Sequence, residues 1–193
     1  AETASTAIEY NDDNDFGTAN TDGTGVAVAV TPGTDLYFRY KATETDLPSM
    51  VQTLVVPNRP AAPTVGIDYV QEQTDGDLPP TVEYAENSSF TTGIGTGNNT
   101  PLALIPGTDK WFRLAASNSE ENFYGQSVQL TVPARPSAPA FGIDYEAETT
   151  LEVIPDTVEY ASDASFTSGL ATGSGAVLAI TPNTQTWFRY KAS

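Results

Sequence analysis

The chain of 193 residues contains no cysteine and no histidine. Without cysteine it can form neither a disulfide framework nor a reactive thiolate. Without histidine it also lacks the commonest general base and a frequent metal ligand. Paired carboxylates are the remaining route to catalysis. The acidic residues that recur in this sequence alternate with inward-pointing neighbours on expected strands and so face solvent. The sequence therefore predicts no enzymatic activity and no catalytic residue.

Basic residues are scarce as well. Lys and Arg number 8 against 25 Asp and Glu, which gives a formal net charge of −17. Because phosphate binding needs a basic face, a nucleic-acid partner is excluded. No apolar run approaches the roughly 18 residues of a membrane span, so membrane insertion is not expected. Such a charge keeps a protein soluble and self-repelling, and it attracts divalent cations.

Helix-favouring runs of Leu, Glu, Lys and Gln are also missing. Hydrophobic residues make up 39% of the chain, which is enough for packed cores. The chain holds 15 Gly and 14 Pro, residues that favour turns and end strands. This composition predicts an all-β fold.

The sequence contains three copies of one pattern. Ile8-Glu9-Tyr10, Val82-Glu83-Tyr84 and Val158-Glu159-Tyr160 lie 74 and 76 residues apart. A phenylalanine follows six positions after each tyrosine, and then come an apolar alternation, a proline and an aromatic-arginine segment. The matched positions are Phe16, Phe90 and Phe166; Val28, Leu102 and Leu178; Pro32, Pro106 and Pro182; and Arg39, Arg113 and Arg189.

Short strands separated by turn signals predict that each repeat of about 75 residues is a small two-sheet antiparallel sandwich. The predicted boundaries are 1–56, 57–132 and 133–193. The first repeat lacks an opening strand and the third lacks a closing strand, so only the middle one is complete. We therefore expect open sheet edges, which strands from another copy could fill.

In the middle repeat, the sequence predicts strands over Lys110–Ala116 and Gln126–Val132. Their alternation places Phe112 and Leu114 on one face and Trp111 and Arg113 on the other.

Three segments of this repeat resemble the end of a fibronectin type III domain: Leu104–Thr108, Phe112–Ala116 and Thr131–Pro133. The resemblance implies an Ig-like sandwich. The tyrosine-corner position of that family holds Leu36, Lys110 and Thr186, and no Arg-Gly-Asp tripeptide occurs, so integrin binding is not implied. The units also resemble the short Ig-like repeats of bacterial surface proteins and adhesin stalks, which implies an extracellular location.

All five arginines occupy recurring positions, and two interpretations stay open. In the first they form ion pairs within or between repeats, such as Arg39 with Glu9 and Arg135 with Asp144, which stabilise by about 0–1 kcal/mol when exposed. The second is a platform for stacking sugars. The candidate interdomain residues are Arg59, Asp68, Arg135 and Asp144. The candidate ligand-binding residues are Trp111, Arg113, Phe123, Tyr124, Trp187 and Arg189.

The acidic loop Asn11–Asp15 raises a calcium hypothesis, because oxygen-rich loops bind that ion. Its counterparts, Ala85–Ser89 and Ala161–Ser165, keep the length and lose most of the acids. Asp75-Gly76-Asp77 is likewise unmatched, and neither spacing fits an EF-hand. The sequence predicts no cofactor and leaves calcium as the alternative.

The leading functional hypothesis is a structural or adhesive repeat module that forms an extended stalk on an extracellular bacterial protein or fibre. Its prolines would stiffen the linkers Val56–Pro63 and Val132–Pro139, and its partners would be neighbouring repeats. One alternative is a carbohydrate-binding module that uses the Trp face or the Ser117–Gly125 loop. Another is a filament subunit whose open edges pair between copies.

Overall fold

The computed structural model describes residues 3–17 and 20–192. Every regular element among them is a β-strand, so the all-β prediction is confirmed. None of the described residues belongs to an apolar helix of membrane-crossing length.

The fifteen strands are short and follow the sequence repeat. Repeat 1 contains β1 (Ile8–Asn11), β2 (Thr21–Asp22), β3 (Leu36–Tyr40) and β4 (Gln52–Leu54). Repeat 2 contains β5 (Ile67–Asp68), β6 (Gln73–Thr74), β7 (Val82–Ala85), β8 (Gly95–Thr96), β9 (Lys110–Leu114) and β10 (Val128–Leu130). Repeat 3 contains β11 (Ile143–Asp144), β12 (Thr149–Thr150), β13 (Val158–Ala161), β14 (Ala171–Thr172) and β15 (Trp187–Tyr190).

One antiparallel sheet recurs in all three repeats with the same register. Its strand order is β2-β1-β3-β4 in repeat 1, β8-β7-β9-β10 in repeat 2 and β14-β13-β15 in repeat 3. The central pairs align Glu9 with Arg39, Glu83 with Arg113, and Glu159 with Arg189. Because the same residues face each other every time, the sequence repeat is a structural repeat as well.

Repeats 2 and 3 also contain two-stranded hairpins, β5–β6 and β11–β12, and in repeat 3 the hairpin forms a second, smaller layer. Isolated bridges join these hairpins to the apolar alternations, through Gln73 and Ala103 and through Thr149 and Ala179. The apolar alternation predicts a strand at this point, but within the described residues of repeats 2 and 3 it forms only such bridges. Two nearly buried hydroxyls make up for the missing ladder bonds.

These hydroxyls belong to Thr74 and Thr150. Thr74 Oγ1 accepts from Leu102 N at 3.0 Å and donates to Gly76 O at 2.8 Å. Thr150 is bonded in the equivalent way. Since donor and acceptor are both satisfied, this polar group is buried without an unpaired atom.

The core of repeat 3 lies between its two layers. Phe141, next to β11, contacts Phe188 of β15 with ring centroids 4.8 Å apart. Phe188 also approaches Tyr160, at 6.2 Å. Ile154 and Val158 are each 1% exposed. Repeat 3 is therefore a small sandwich with one apolar interior.

The alternation predicted for β9 is confirmed at its centre. Phe112 is fully buried, whereas Trp111 and Arg113 are half-buried on the opposite face. The predicted strand ends are wrong: β9 stops at Leu114 and β10 covers only Val128–Leu130. Where the strands were expected to continue, the backbone instead forms hydrogen bonds with loops. Gln126 N, for example, donates to Pro60 O at 2.9 Å.

The chain divides into two compact units. One holds Ala1–Val65, Asp77–Thr100 and Asp109–Leu130. The other holds Gly66–Gly76, Pro101–Thr108 and Thr131–Ser193. The repeat boundaries at 1–56, 57–132 and 133–193 stay a prediction.

The outer repeats have fewer strands than the middle one. Within the described residues of repeat 1, no counterpart of the β5–β6 hairpin occurs, and Val30 is 37% exposed where the equivalent Leu104 is 5% exposed. In repeat 3, β15 is the edge strand of its sheet. That the outer repeats are incomplete and have open edges stays a prediction.

A close approach of backbone requires glycine at position 97. A Cβ there would lie 2.3 Å from Pro79 O and 2.4 Å from Leu78 O, and neither atom belongs to a flexible side chain. We expect Gly97→Ala to lower the free energy of unfolding by about 1–3 kcal/mol, as overpacking does. Denaturant unfolding followed by Trp fluorescence measures the change. Gly76→Ala is the matched control, because nothing lies within 4 Å of its added Cβ. Equal losses in both variants would contradict this explanation.

Candidate functional site

The recurring arginines lie in the same cluster in every repeat, which we call the arginine cluster. Arg39 Nε donates to Glu9 Oε1 at 2.6 Å, and Arg113 Nε donates to Glu83 Oε2 at 3.0 Å. Arg189 Nε donates to Glu159 in the same way. The predicted Arg39–Glu9 pair is therefore confirmed, and facing strand positions explain its recurrence.

Each guanidinium also lies over a phenylalanine ring. The distance from the Arg Cζ to the ring centroid is 4.1 Å for Phe16, 3.9 Å for Phe90 and 4.1 Å for Phe166. These phenylalanines have left-handed φ angles of 50°, 51° and 54°, which are rare for aromatic residues. The backbone at each phenylalanine thus has a conformation that aromatic residues rarely adopt. The cation–π contact stabilises the position of the ring.

In the middle repeat the cluster has a fourth member. The Tyr124 ring centroid lies 3.8 Å from Arg113 Cζ, so two aromatic rings contact this guanidinium. The Arg113 side chain is 21% exposed, against 50% for Arg189. Its charge is compensated by Glu83, and two rings already contact it. The geometry therefore favours the structural interpretation of the arginines.

Of the other candidate ligand-binding residues, Tyr124 contacts Arg113, and Trp111 lies on the same face of β9 as Arg113. Phe123 is half-buried, and Trp111 lies half-buried on the outer face of β9. Tyr124 is 43% exposed. Trp187 on β15 is also 43% exposed, on the same outward face as Arg189. The two exposed rings among these candidates, Tyr124 and Trp187, therefore belong to different repeats.

The loop that presents Phe166 is ordered by one carboxylate. Asp163 accepts backbone N–H bonds from Ser168 at 2.6 Å, Ser165 at 2.8 Å and Thr167 at 3.1 Å. These bonds favour the ionised carboxylate and hold the pKa of Asp163 below its usual range, with the Ser168 bond acting most strongly. Asn87 orders the equivalent loop in repeat 2, where its side-chain oxygen accepts from Thr91 N.

The first linker is held from both sides. Pro57 O accepts from Gly33 N at 3.0 Å, on the side of repeat 1. Pro60 O accepts from Gln126 N at 2.9 Å, and Arg59 Nη1 donates to Tyr124 O at 2.9 Å, on the side of repeat 2. A proline has no N–H but keeps its carbonyl as an acceptor, so a proline-rich linker can still be fixed by hydrogen bonds.

One predicted ion pair of the second linker is wrong. Arg135 does not pair with Asp144; its Nη2 lies 2.6 Å from Glu72 Oε2. Asp144 Oδ1 instead accepts from the backbone of Glu146 and Ala147 within its own turn. The carboxylate is therefore already engaged in turn geometry of the kind that Asp favours.

Asp68 has the same role in repeat 2. Its Oδ1 accepts from Val70 N at 2.9 Å and from Gln71 N at 3.0 Å. Sequence reasoning missed this role for both aspartates. The signal was present, since each one directly follows Gly-Ile at the start of a hairpin.

The acidic loop at Asn11–Asp15 is bonded to its own backbone. Asp13 Oδ1 accepts from Asp15 N, and Asp15 Oδ1 accepts from Gly17 N at 2.6 Å. Across the described ranges, no group of three or more His, Cys, Asp or Glu side chains is placed to hold a metal ion. The carboxylates of this loop therefore stabilise its turns.

Comparison with known proteins adds little to this geometry. No family model and no curated protein matches the sequence. Among solved structures, the chain is similar to the crystal structure of the chicken CNTN1 FN1-FN3 domains, with 14% sequence identity and a TM-score of 0.30. The match covers 94% of this chain and 83% of that one. A TM-score this low carries no argument, so the fold assignment rests on the strands and registers above.

The arginine cluster predicts unequal effects of the same substitution at two Arg–Glu pairs. Arg113→Lys keeps the charge but loses the planar fork and the stacking on two rings. We expect the free energy of unfolding to fall by about 1–2 kcal/mol, measured by denaturant titration. Arg135→Lys is the control, because the Arg135 side chain is 68% exposed. Its exposed pair should change stability by less than about 0.5 kcal/mol. Equal effects at the two positions would show that the stack contributes nothing.

Proposed function

We propose that this chain is a structural repeat module of an extracellular bacterial surface protein or fibre, acting as an extended stalk without catalytic activity. The observation that carries the proposal is the anchoring of the first linker. Hydrogen bonds from Gly33, Gln126 and Arg59 fix this proline-rich segment to the repeats on either side of it. A linker fixed in this way keeps successive repeats from folding back on each other.

The arginine clusters support the same function. Their charges are paired and their aromatic faces are used within each repeat, so they stabilise the sheet rather than present a ligand site. The formal charge of −17 would keep neighbouring stalks apart. The extracellular bacterial setting rests on the resemblance of the units to Ig-like repeats of surface proteins.

Small-angle X-ray scattering tests the stalk. A compact chain of this length would have a radius of gyration of about 16 Å. We expect a value at least half as large again, because an extended array spreads its mass along one axis. Replacing Pro57 and Pro60 with glycine should broaden the distance distribution, since the linker gains backbone freedom. A radius near the compact value for the unsubstituted chain would rule out a stalk.

Carbohydrate binding is the second candidate, and the exposed aromatic rings favour it. Trp187 and Tyr124 each expose 43% of their surface, and flat rings of this kind can stack on sugars. We expect a weak signal on a glycan array if the candidate is right, and we expect Trp187→Ala to remove it. Trp111→Ala is the matched control, because that ring is half-buried. A blank array with the unsubstituted chain would eliminate this function.

A further inference from the structure

Two tripeptides of the form Asn-x-Ser/Thr occur in the chain, and both lie in the middle repeat. They are Asn87-Ser88-Ser89 and Asn98-Asn99-Thr100. This pattern is the acceptor sequence for N-linked glycans when its middle residue is not proline. Because so short a pattern also arises by chance, the surroundings of each asparagine decide whether its amide nitrogen is free to react.

The side chain of Asn87 is used by its own loop. Its Oδ1 accepts from Thr91 N at 3.1 Å, and its Nδ2 donates to Thr91 Oγ1 at 3.0 Å. The counterparts of Asn87 in the other repeats are Asp13 and Asp163, whose carboxylates also accept backbone N–H groups of their loops. The need to order this loop therefore explains the asparagine, and a reaction at its Nδ2 would break a hydrogen bond of the fold.

The turn that carries Asn98 has the same backbone bonds in all three repeats. Gly97 N donates to Val82 O at 2.9 Å, and Asn99 N donates to Leu78 O at 2.8 Å. The glycines at the equivalent positions form the same two bonds: Gly23 and Gly25 in repeat 1, and Gly173 and Gly175 in repeat 3. Asn99 and its two glycine counterparts all have a left-handed φ, of 62°, 81° and 76°.

Only the middle repeat has the acceptor tripeptide in this turn. The four residues there are Gly-Asn-Asn-Thr, whereas they are Gly-Thr-Gly-Val in repeat 1 and Gly-Ser-Gly-Ala in repeat 3. Since all three sequences form the same backbone bonds, the turn requires neither the asparagines nor the threonine. Glycine is the residue that a left-handed position favours, and the middle repeat lacks it at Asn99. The turn itself therefore does not explain the tripeptide.

The amide group of Asn98 is accessible. Asn98, Asn99 and Thr100 are all exposed. Thr100 Oγ1 donates to Asn98 Oδ1 at 2.5 Å, so the hydroxyl of the tripeptide lies against the amide group. Among the residues that the structure describes, none accepts a hydrogen bond from Asn98 Nδ2. A reaction at this nitrogen would therefore break no hydrogen bond of the fold, in contrast to a reaction at Asn87.

We propose that Asn98 is the acceptor of an N-linked glycan and that Asn87 is not. The donor class is a hexosyl diphosphate, in which a diphosphate ester is bonded to the anomeric carbon of the sugar. Asn98 Nδ2 attacks that carbon and forms a C–N bond, while the C–O bond breaks and the diphosphate leaves with its electron pair. The proton lost from Nδ2 passes to a base of the transferring enzyme. This modification goes beyond the stalk function and does not rest on it.

A glycan at Asn98 would lie beside an edge of the sheet. β8 is the terminal strand of its sheet and ends two residues before Asn98. Ile94, which directly precedes β8, is 57% exposed. A bulky, hydrated chain at this point would hinder pairing of β8 with a strand from another molecule. The modification would therefore protect an exposed strand edge.

The test is enzymatic glycosylation of the folded full chain, with the occupancy of each asparagine measured by peptide mass spectrometry. One arm uses a nucleotide-activated hexose and a soluble N-glycosyltransferase. The other uses a lipid-linked diphosphate oligosaccharide and an oligosaccharyltransferase, so the two arms distinguish the two sources of the donor. Synthetic peptides of residues 82–92 and 93–103 give the intrinsic reactivity of each tripeptide without the folded loops.

We expect modification of Asn98 in at least one arm. The ratio of the initial rate at Asn98 to that at Asn87 should be at least about tenfold higher in the folded chain than in the peptides, because the fold engages only Asn87 in hydrogen bonds. Thr100→Ala should abolish modification of Asn98 and preserve the fold, since the equivalent residue of repeat 3 is Ala176. Thr91→Ala should raise the rate at Asn87 several-fold, because it removes the acceptor of Asn87 Nδ2.

Three results would overturn the proposed site. They are absence of modification at Asn98 in both arms, equal rate ratios in the folded chain and the peptides, and modification of Asn98 that persists after Thr100→Ala. An unchanged rate at Asn87 in the Thr91→Ala variant would overturn the reason given for its exclusion. The stalk is tested separately by scattering of the unmodified chain, so the two proposals can fail independently.

Discussion

Pairing of one arginine with one glutamate across the central strands is the interaction on which each repeat depends. In a chain with 25 acidic and 8 basic residues, a half-buried carboxylate such as Glu83 would be repelled by its surroundings unless a cation compensates it. Removing one partner of a buried pair is costlier than the pair itself is stabilising, because the remaining charge stays desolvated. The arginines of the central strands therefore compensate glutamates that would otherwise stay unpaired.

The same arginine holds a strained loop. Phe90 has a φ of 51°, and a non-glycine residue in this region costs on the order of 1–3 kcal/mol. The ring lies under the guanidinium of Arg113 and is only 6% exposed, so burial and the cation–π contact offset that cost. Glu83, Arg113 and Phe90 are thus one cooperative unit, and the same arrangement recurs around Arg39 and Arg189.

Much of this could be predicted from the sequence. Period-2 alternation identified Phe112 as core and Arg113 as outward, and internal repetition placed Glu9 opposite Arg39. Tertiary partners that are not fixed by strand register could not be predicted. Arg135 reaches Glu72, which lies 63 residues away on a hairpin turn, and nothing in the local pattern separates Glu72 from Asp144 as a partner. The left-handed phenylalanines were also missed, because glycine or asparagine is the usual signal for such a backbone.

The negative charge of the chain affects how its exposed strand edges meet those of another copy. An exposed edge strand such as β15 would ordinarily invite pairing with any other edge, including its own copy. Two copies of this chain meet with a charge of −17 each, and the repulsion opposes such encounters at low ionic strength. The excess of acid therefore opposes edge-to-edge pairing between copies, which is one of the ways in which proteins protect exposed strand edges.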